Sequence, residues 1–370
     1  MPKSKPSFDR PFLFSVIILT IVGFIVFYSA SLGILAKNSE KYSSITFSQA
    51  ILGLLLGSVA MFLTSRMDFK TWRKYAFWIL VAGIILNILV LFPEIGVKHN
   101  GARRWIYLGP LSFQTSEILK LGFIIYFAAL AAKMKERMST FKLGLLPLLA
   151  LLGISGLLLL GQPDTDTFLM LVASGVAIFL VSGGKWKHIF ILLLIGIVGL
   201  TFLAFTRPYV MSRINTFLHP GEESYGSGYQ IQQSLIAIGS GGVFGRGFGQ
   251  SVQKFDFLPE PMGDSIFAVQ AEEFGFVGAS ALILLFVFFL SRGLKIASNT
   301  VDPFGRLLVV GLVIMITAQA FVNIGAMLNV LPLSGITLPF VSHGGTSLFI
   351  TLLEAGIILS VSKSSNKQAK

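Results

Sequence analysis

Pro11-Phe-Leu-Phe-Ser-Val-Ile-Ile-Leu-Thr-Ile-Val-Gly-Phe-Ile-Val-Phe-Tyr-Ser-Ala-Ser-Leu-Gly-Ile-Leu-Ala36 runs without one charged side chain. A bilayer core of about 30 Å needs about 20 apolar residues in helical form. Lys3, Lys5 and Arg10 precede the run, as in a signal peptide. It is longer than a signal h-region, however, so it reads as an uncleaved transmembrane helix. Nine further stretches read the same way: roughly 47–64, 75–92, 113–132, 143–161, 166–182, 188–206, 265–290, 307–330 and 345–362.

The whole chain agrees with these spans. Of 370 residues, 54% are hydrophobic and only 12% charged, about half the charge of a soluble domain. The 38 Gly suit helices packed closely in lipid. There is no Cys, so disulfides, thiolate metal sites and thiol nucleophiles are excluded. The four His (His99, His188, His219, His343) show no ligand spacing.

The net charge of +12 would suggest nucleic acid in a soluble protein. Here the basic residues orient the chain. Lys3, Lys5, Arg10, then Arg66, Lys70, Arg73, Lys74, then Lys133, Lys135, Arg137, Lys142 fall in alternate segments. Lys185, Lys187, then Arg292, Lys295, Arg306, then Lys363, Lys367, Lys370 continue the series. The opposite short loops carry only Lys37, Lys41, Lys98, Arg103 and Arg104. The positive-inside rule then puts both termini in the cytoplasm, as an even helix number requires. No nucleic-acid partner is expected. The expected fold is all-α and polytopic, one transmembrane domain over 1–370 with about ten helices. A large Gly-rich extracytoplasmic loop, about 207–264, joins helices 7 and 8. No internal repeat is visible, which weakens a transporter built from two related halves.

Polar residues within apolar spans mark the candidate chemistry. Glu117 and Lys120 are three apart, neighbours on one helix face. They form either a packing ion pair or a substrate contact. In Gln162-Pro-Asp-Thr-Asp-Thr167, Asp164 or Asp166 can cap the following helix. Within 207–264, residues 231–238 read as a short amphipathic helix. Gly239-Ser-Gly-Gly-Val-Phe-Gly-Arg-Gly-Phe-Gly249 follows. It is no nucleotide loop, because no Gly-Lys-Ser/Thr follows and no strand precedes. Close backbone approach to a ligand or a membrane helix explains it better. After Lys254-Phe-Asp-Phe-Leu-Pro-Glu260, Asp264 stands just before a helix, as a cap or as a reactive group. The block Asn329–Ser347 carries Pro and Gly at membrane depth. Such backbone lies against protein or a wet cavity, as a cavity wall or a structural re-entrant turn.

Taken in order, these blocks resemble the SEDS family of shape, elongation, division and sporulation proteins, which includes FtsW, RodA and SpoVE. The residues are Asn100-Gly-Ala-Arg-Arg-Trp-Ile106 with Leu108-Gly109, Phe113-Gln-Thr-Ser-Glu-Ile-Leu-Lys-Leu121, Gln162-Pro-Asp164 and Gly228-Tyr-Gln230. Further on come Ala237-Ile-Gly-Ser-Gly-Gly242, Leu258-Pro-Glu260, Asp264, Ile266-Phe-Ala268, Glu272-Glu273, Gly275-Phe276, Gly278 and the block Gly335–Ser347. Lys254-Phe255 and Thr337-Leu-Pro339 look more like the division-type branch. The match departs from the family pattern at Asp166 (usually Gly), Thr115 (usually Pro), Gly263 (usually Thr or Ser), Ser265 (usually Phe) and His343 (usually Tyr).

The resemblance implies a peptidoglycan glycosyltransferase in the bacterial cytoplasmic membrane. It would polymerise Lipid II at the outer face, beside a class B penicillin-binding protein and other division or elongation proteins. The family's essential acidic residue maps onto Asp264 and its buried Glu/Lys pair onto Glu117 and Lys120. A sugar hydroxyl is a weak nucleophile, so a positioned base helps, and Asp264 takes that role. The departing diphosphate needs cations. Arg103, Arg104, Arg213 and Lys254 are the outer-side candidates, and a divalent cation (Mg or Mn) could share the task. Glu260, Ser342 and Gly344 are supporting candidates. Two other readings stand beside this one: a flippase or transporter of a lipid-linked precursor, and a non-enzymatic scaffold for a penicillin-binding protein.

Overall fold

Asp9 starts the first helix by accepting from the Phe12 N–H at 2.9 Å. Pro11 sits in the first turn, where a missing N–H costs nothing. The structure, a computed structural model, describes residues 8–99, 102–108, 111–220 and 226–365. Lys3, Lys5, Asn100, Gly101, Gly109, Gly221, Lys367 and Lys370 of the sequence reading lie outside the described residues, as do residues 222–225.

Helix α1 is Arg10–Leu35. The second span is continuous from Tyr42 to Arg66. It comprises α2 (Ser39–Phe47), a π-helical stretch (Ser48–Leu56) and α3 (Gly57–Arg66). Then come α4 (Lys70–Leu89), α5 (Thr115–Met134), α6 (Leu146–Gly161), α7 (Thr165–Val181) and α8 (Trp186–Thr206). The chain continues with α9 (Pro208–Leu218), α10 (Ser227–Ser240), α11 (Ile266–Ser298), α12 (Pro303–Met327) and α13 (Gly345–Ser365). Among the described residues nine helical stretches are long and apolar enough to cross a membrane, and α7, at 17 residues, is a shorter tenth.

Helices α5, α12 and α13 form the interior, and α8 lies at the periphery with its apolar window unburied. Glycine lets α4 and α5 touch. A Cβ on Gly83 would stand 2.9 Å from the Leu119 Cα, and one on Gly122 2.9 Å from the Leu80 Cα. Small residues at such a crossing allow the backbone contact that drives helix packing in lipid.

Two expectations need correction. The fold is not all-α: β1 (Gly96–His99), β2 (Ala102–Leu108) and β3 (Leu111–Gln114) form an antiparallel meander. The segment 96–114 is too polar to span a membrane. Nor is 207–264 one long loop, since it holds α9 and α10. The expected short helix at 231–238 is the middle of α10.

The Gly run acts by close backbone approach, here to a membrane helix. Gly275 has φ +65 and interrupts α11, freeing backbone groups on both sides. Arg246 and Gly247 donate N–H groups to the Glu272 and Glu273 carbonyls, each at 3.0 Å. Phe276 and Val277 in turn donate to the Gly242 and Val243 carbonyls at 2.9 and 3.1 Å. The loop thereby replaces the helical bonds that the kink removes.

The bundle has two distinct ends. At one, Arg292 on α11 pairs with Asp9 at 2.6 Å, the Asp9 N–H meets Ser362 of α13, and Lys363 donates to the Ser65 carbonyl at 2.8 Å. Both described ends of the chain therefore lie at this basic end. Asp264, Asp164, Thr115 and the start of α13 lie at the other.

Candidate active site

At that second end the chain turns sharply before α11. The Gly263 and Ser265 N–H groups both donate to the Glu260 carbonyl, at 2.9 and 3.3 Å. The N-cap of α11 is Ser265, and its side chain makes no capping bond. Asp264 is thus not spent as a cap. Its carboxylate accepts from Gln230 Nε2 on α10 at 3.1 Å, and the same amide reaches Ser265 Oγ at 2.9 Å.

The backbone around Asp264 is clamped from two more sides. Asn323 on α12 donates to the Asp264 carbonyl at 2.7 Å and to the Ile336 carbonyl at 2.8 Å. Ser342 Oγ donates to the Gly263 carbonyl at 2.6 Å, and the His343 N–H to the Met262 carbonyl at 2.7 Å. Gln49, from the π-helical stretch, accepts from the Gly344 N–H at 3.0 Å and donates to the Ser342 carbonyl at 3.3 Å. Ser342 and Gly344 therefore support the Asp264 turn without being free to react.

The Asp264 carboxyl lies partly exposed at the bundle mouth. Burial of its surroundings pushes its pKa up, and the nearby Glu260 charge adds to that. The Gln230 hydrogen bond and the Arg213 charge pull the other way, and the balance stands at about 7. A carboxyl so poised can take up a proton at neutral pH, which an ordinary carboxylate does poorly.

The expected cations separate. Arg213 on α9 holds Asp166, with Nη1 at 2.9 and 3.1 Å from the two carboxylate oxygens. Its charge reaches Asp264. Arg104 on β2 donates to the Gln162 carbonyl at 3.1 Å and to the Pro163 carbonyl, with Asp164 at 3.9 Å. Arg103, next along the same strand, pairs across from Lys98 of β1, and the register shifts there, leaving Arg104 as the extra residue of a bulge. Lys254 does not join the site. It is fully buried, and its ammonium is shared by Glu273 (2.8 Å), Ser29 (3.0 Å) and the Gly249 carbonyl (2.8 Å). All three donors are taken, so it pins the Gly-rich loop and cannot serve a diphosphate.

Glu117 and Lys120 form the expected ion pair at 2.9 Å, deep in the bundle. Lys120 also donates to Gln319 Oε1 at 3.1 Å, and Gln319 Nε2 donates to the Thr337 carbonyl at 3.0 Å. The pair thus anchors the segment 334–338, whose Ile336 carbonyl is held by the same Asn323 that holds Asp264. These bonds tie that segment to α5 and α12. Of the two Asp in 164–167, Asp164 is the cap, accepting from the Thr167 N–H at 3.4 Å, and Asp166 is the Arg213 partner. Thr115, where Pro is usual, uses its hydroxyl to reach Asn87 Oδ1 at 3.2 Å.

Among the described residues no three His, Cys, Asp or Glu side chains gather as a metal site. Asp164 and Asp166 already face arginines. Among the described residues these side chains do not by themselves build a site for Mg or Mn. Asn323 and Gln319 have no counterpart in the sequence reading. Their four-residue spacing within an apolar helix was the available signal, since it puts two polar side chains on one face.

Residues 10–367 match the model of the FtsW/RodA/SpoVE family of cell cycle proteins. The chain is 38% identical to stage V sporulation protein E of Bacillus subtilis, covering 98% of this chain and 99% of that one. It is 39% identical to a probable peptidoglycan glycosyltransferase FtsW of Saccharophagus degradans, covering 96% and 92%. Among solved structures it is similar to a chain of a peptidoglycan synthase complex that coordinates polymerization and crosslinking, with a TM-score of 0.78 and 28% identity over 98% of this chain and 99% of the other. It is similar also to the Thermus thermophilus rod shape determining protein RodA, with a TM-score of 0.67 and 30% identity over 96% of each.

Proposed function

The chain belongs to the FtsW/RodA/SpoVE family, a multi-pass membrane family, and from that premise we propose that it polymerises Lipid II with Asp264 as general base. It is a peptidoglycan glycosyltransferase, as its relatives named FtsW are. The acceptor sugar hydroxyl attacks the anomeric carbon of the lipid-diphosphate-linked donor. Its proton passes to the Asp264 carboxylate as the new C–O bond forms. The bond from the anomeric carbon to the phosphate oxygen breaks, and its electron pair leaves on the diphosphate. A diphosphate is already a good leaving group, so one carboxylate suffices where a glycosidase uses two. Arg213, whose charge reaches Asp264, is the first candidate to balance the departing charge, with Arg104 and Arg103 farther along the same end.

One observation carries this reading: a carboxyl at the bundle mouth that is held by a single side-chain donor, excused from capping and poised near neutrality. The basic end, with Arg66, Lys70, Arg292 and Lys363, would face the cytoplasm of a bacterial cell and Asp264 the outer side of its inner membrane. A class B penicillin-binding protein is the partner the reading calls for. The peptidoglycan synthase complex among the similar structures supports it.

Purified chain in nanodiscs, given Lipid II with and without that partner, tests the proposal. Glycan strands on a gel are expected with the partner present. Lipid II translocation across vesicles without polymer would support a flippase instead. Neither product, with the partner's crosslinking still dependent on the chain, would support a scaffold.

A further inference from the structure

Asp166 stands where the family resemblance has glycine as the usual residue, so it adds a carboxylate to that pattern. Its carboxylate is held by Arg213 Nη1, at 2.9 and 3.1 Å, and by the Gly335 N–H, at 3.2 Å. A guanidinium with a backbone N–H is the donor set that holds phosphate oxygens in many proteins. The donors lie beside the Asp264 turn. Gly335 binds Asp166, and its neighbour Ile336 is tied through Asn323 to the Asp264 carbonyl. The pair is also accessible, because the Arg213 side chain is 26% exposed at the mouth of the bundle.

We propose that Asp166 is an internal stand-in for a donor phosphate: its carboxylate occupies the Arg213–Gly335 anion site until a diphosphate oxygen displaces it. Residue 166 thereby sets how tightly this chain binds a lipid-linked diphosphate. The inference rests on the reading that the donor diphosphate lies next to Asp264. Its physical basis is that one guanidinium cannot fully neutralise a carboxylate and a diphosphate together. The carboxylate also repels the incoming anion. A glycine at this position would leave both donors open.

Asp166→Asn tests this with little change of shape, since its amide oxygen can still accept from Gly335. Asp166→Gly tests it by full removal. Two quantities are measured at low ionic strength: the KM for Lipid II in polymerisation, and the dissociation constant of inorganic pyrophosphate by calorimetry. Both should fall by about three- to tenfold in each variant, the scale of a partly exposed charge-assisted pair. The gain should shrink in high salt. Arg213→Ala should weaken pyrophosphate binding, and adding Asp166→Asn to it should restore nothing, because the competed group is gone.

A KM and a pyrophosphate constant that stay level or rise in Asp166→Asn, with an unchanged melting temperature, would overturn the proposal and leave Asp166 a structural tether. Polymerisation failure in the unsubstituted chain would instead count against the proposed function, and the pyrophosphate measurement would still decide the role of Asp166.

Discussion

If Asp264 must be ionised to accept a proton, the rate of polymerisation should follow its titration, and the structure places that titration unusually high. With a pKa of about 7, only about one-tenth of the carboxyl is ionised at pH 6 and about one-hundredth at pH 5. An ordinary aspartate, near 3.8, would remain almost wholly ionised at both. The kcat/KM for Lipid II should therefore fall close to tenfold per unit below about pH 6.5 and level off above about pH 8. Two neighbours make the test specific. Glu260→Gln removes a like charge that holds the pKa up, so the acid limb should move to lower pH. Gln230→Ala removes a hydrogen bond to the ionised form, so the limb should move to higher pH. Stability gives an independent sign. A carboxyl raised in the folded state stabilises the fold fully below about pH 4, and that contribution is lost as pH rises through about 7. Asp264→Asn should accordingly melt higher than the parent at pH 8. The assay is the initial polymerisation rate in nanodiscs with partner, from pH 5 to 9. A flat profile between pH 5 and 7, or a limb that Glu260→Gln and Gln230→Ala displace in the same direction, would refute the reasoning.

Lys120→Met should cost about 3–5 kcal/mol of stability by leaving the buried Glu117 unpaired. Thermal unfolding should show most of that recovered in the Glu117→Gln, Lys120→Met double variant. Asn323→Ala removes the bonds to both the Asp264 and Ile336 carbonyls. It should lower kcat by about tenfold while changing KM less, since a loosened base acts mainly on the chemical step. Gly275→Ala forces a side chain to φ +65 against the Gly245 backbone. It should cost about 1–3 kcal/mol and raise proteolysis of the 241–249 loop.

Nine of the expected spans are legible because each is a long apolar run, which signals a span without any tertiary knowledge, while α7, among the described residues, is shorter. The meander at 96–114 is hard to read from sequence because its strands are only 4, 7 and 4 residues long. The place of Lys254 could not be read at all. Its partners Glu273 and Ser29 are 19 and 225 residues away, and only the folded loop shows the ammonium enclosed. Asp166 illustrates the reverse. As a departure from the usual glycine it stands out in the sequence, but only the structure shows that it bonds Arg213. Whether Asp264 caps α11 depends on which way one side chain turns, and here the Gln230 amide draws it from the helix end.

The most direct measurement is the rate at which Asp264→Asn, with a melting temperature no lower than the parent's, converts Lipid II to glycan strands beside a class B penicillin-binding protein. Asparagine keeps the size and can still accept from Gln230, but it cannot take up a proton. A loss of at least about a hundredfold, the scale of a general base, is expected. A rate within about threefold of the parent's would contradict the role assigned to that carboxylate.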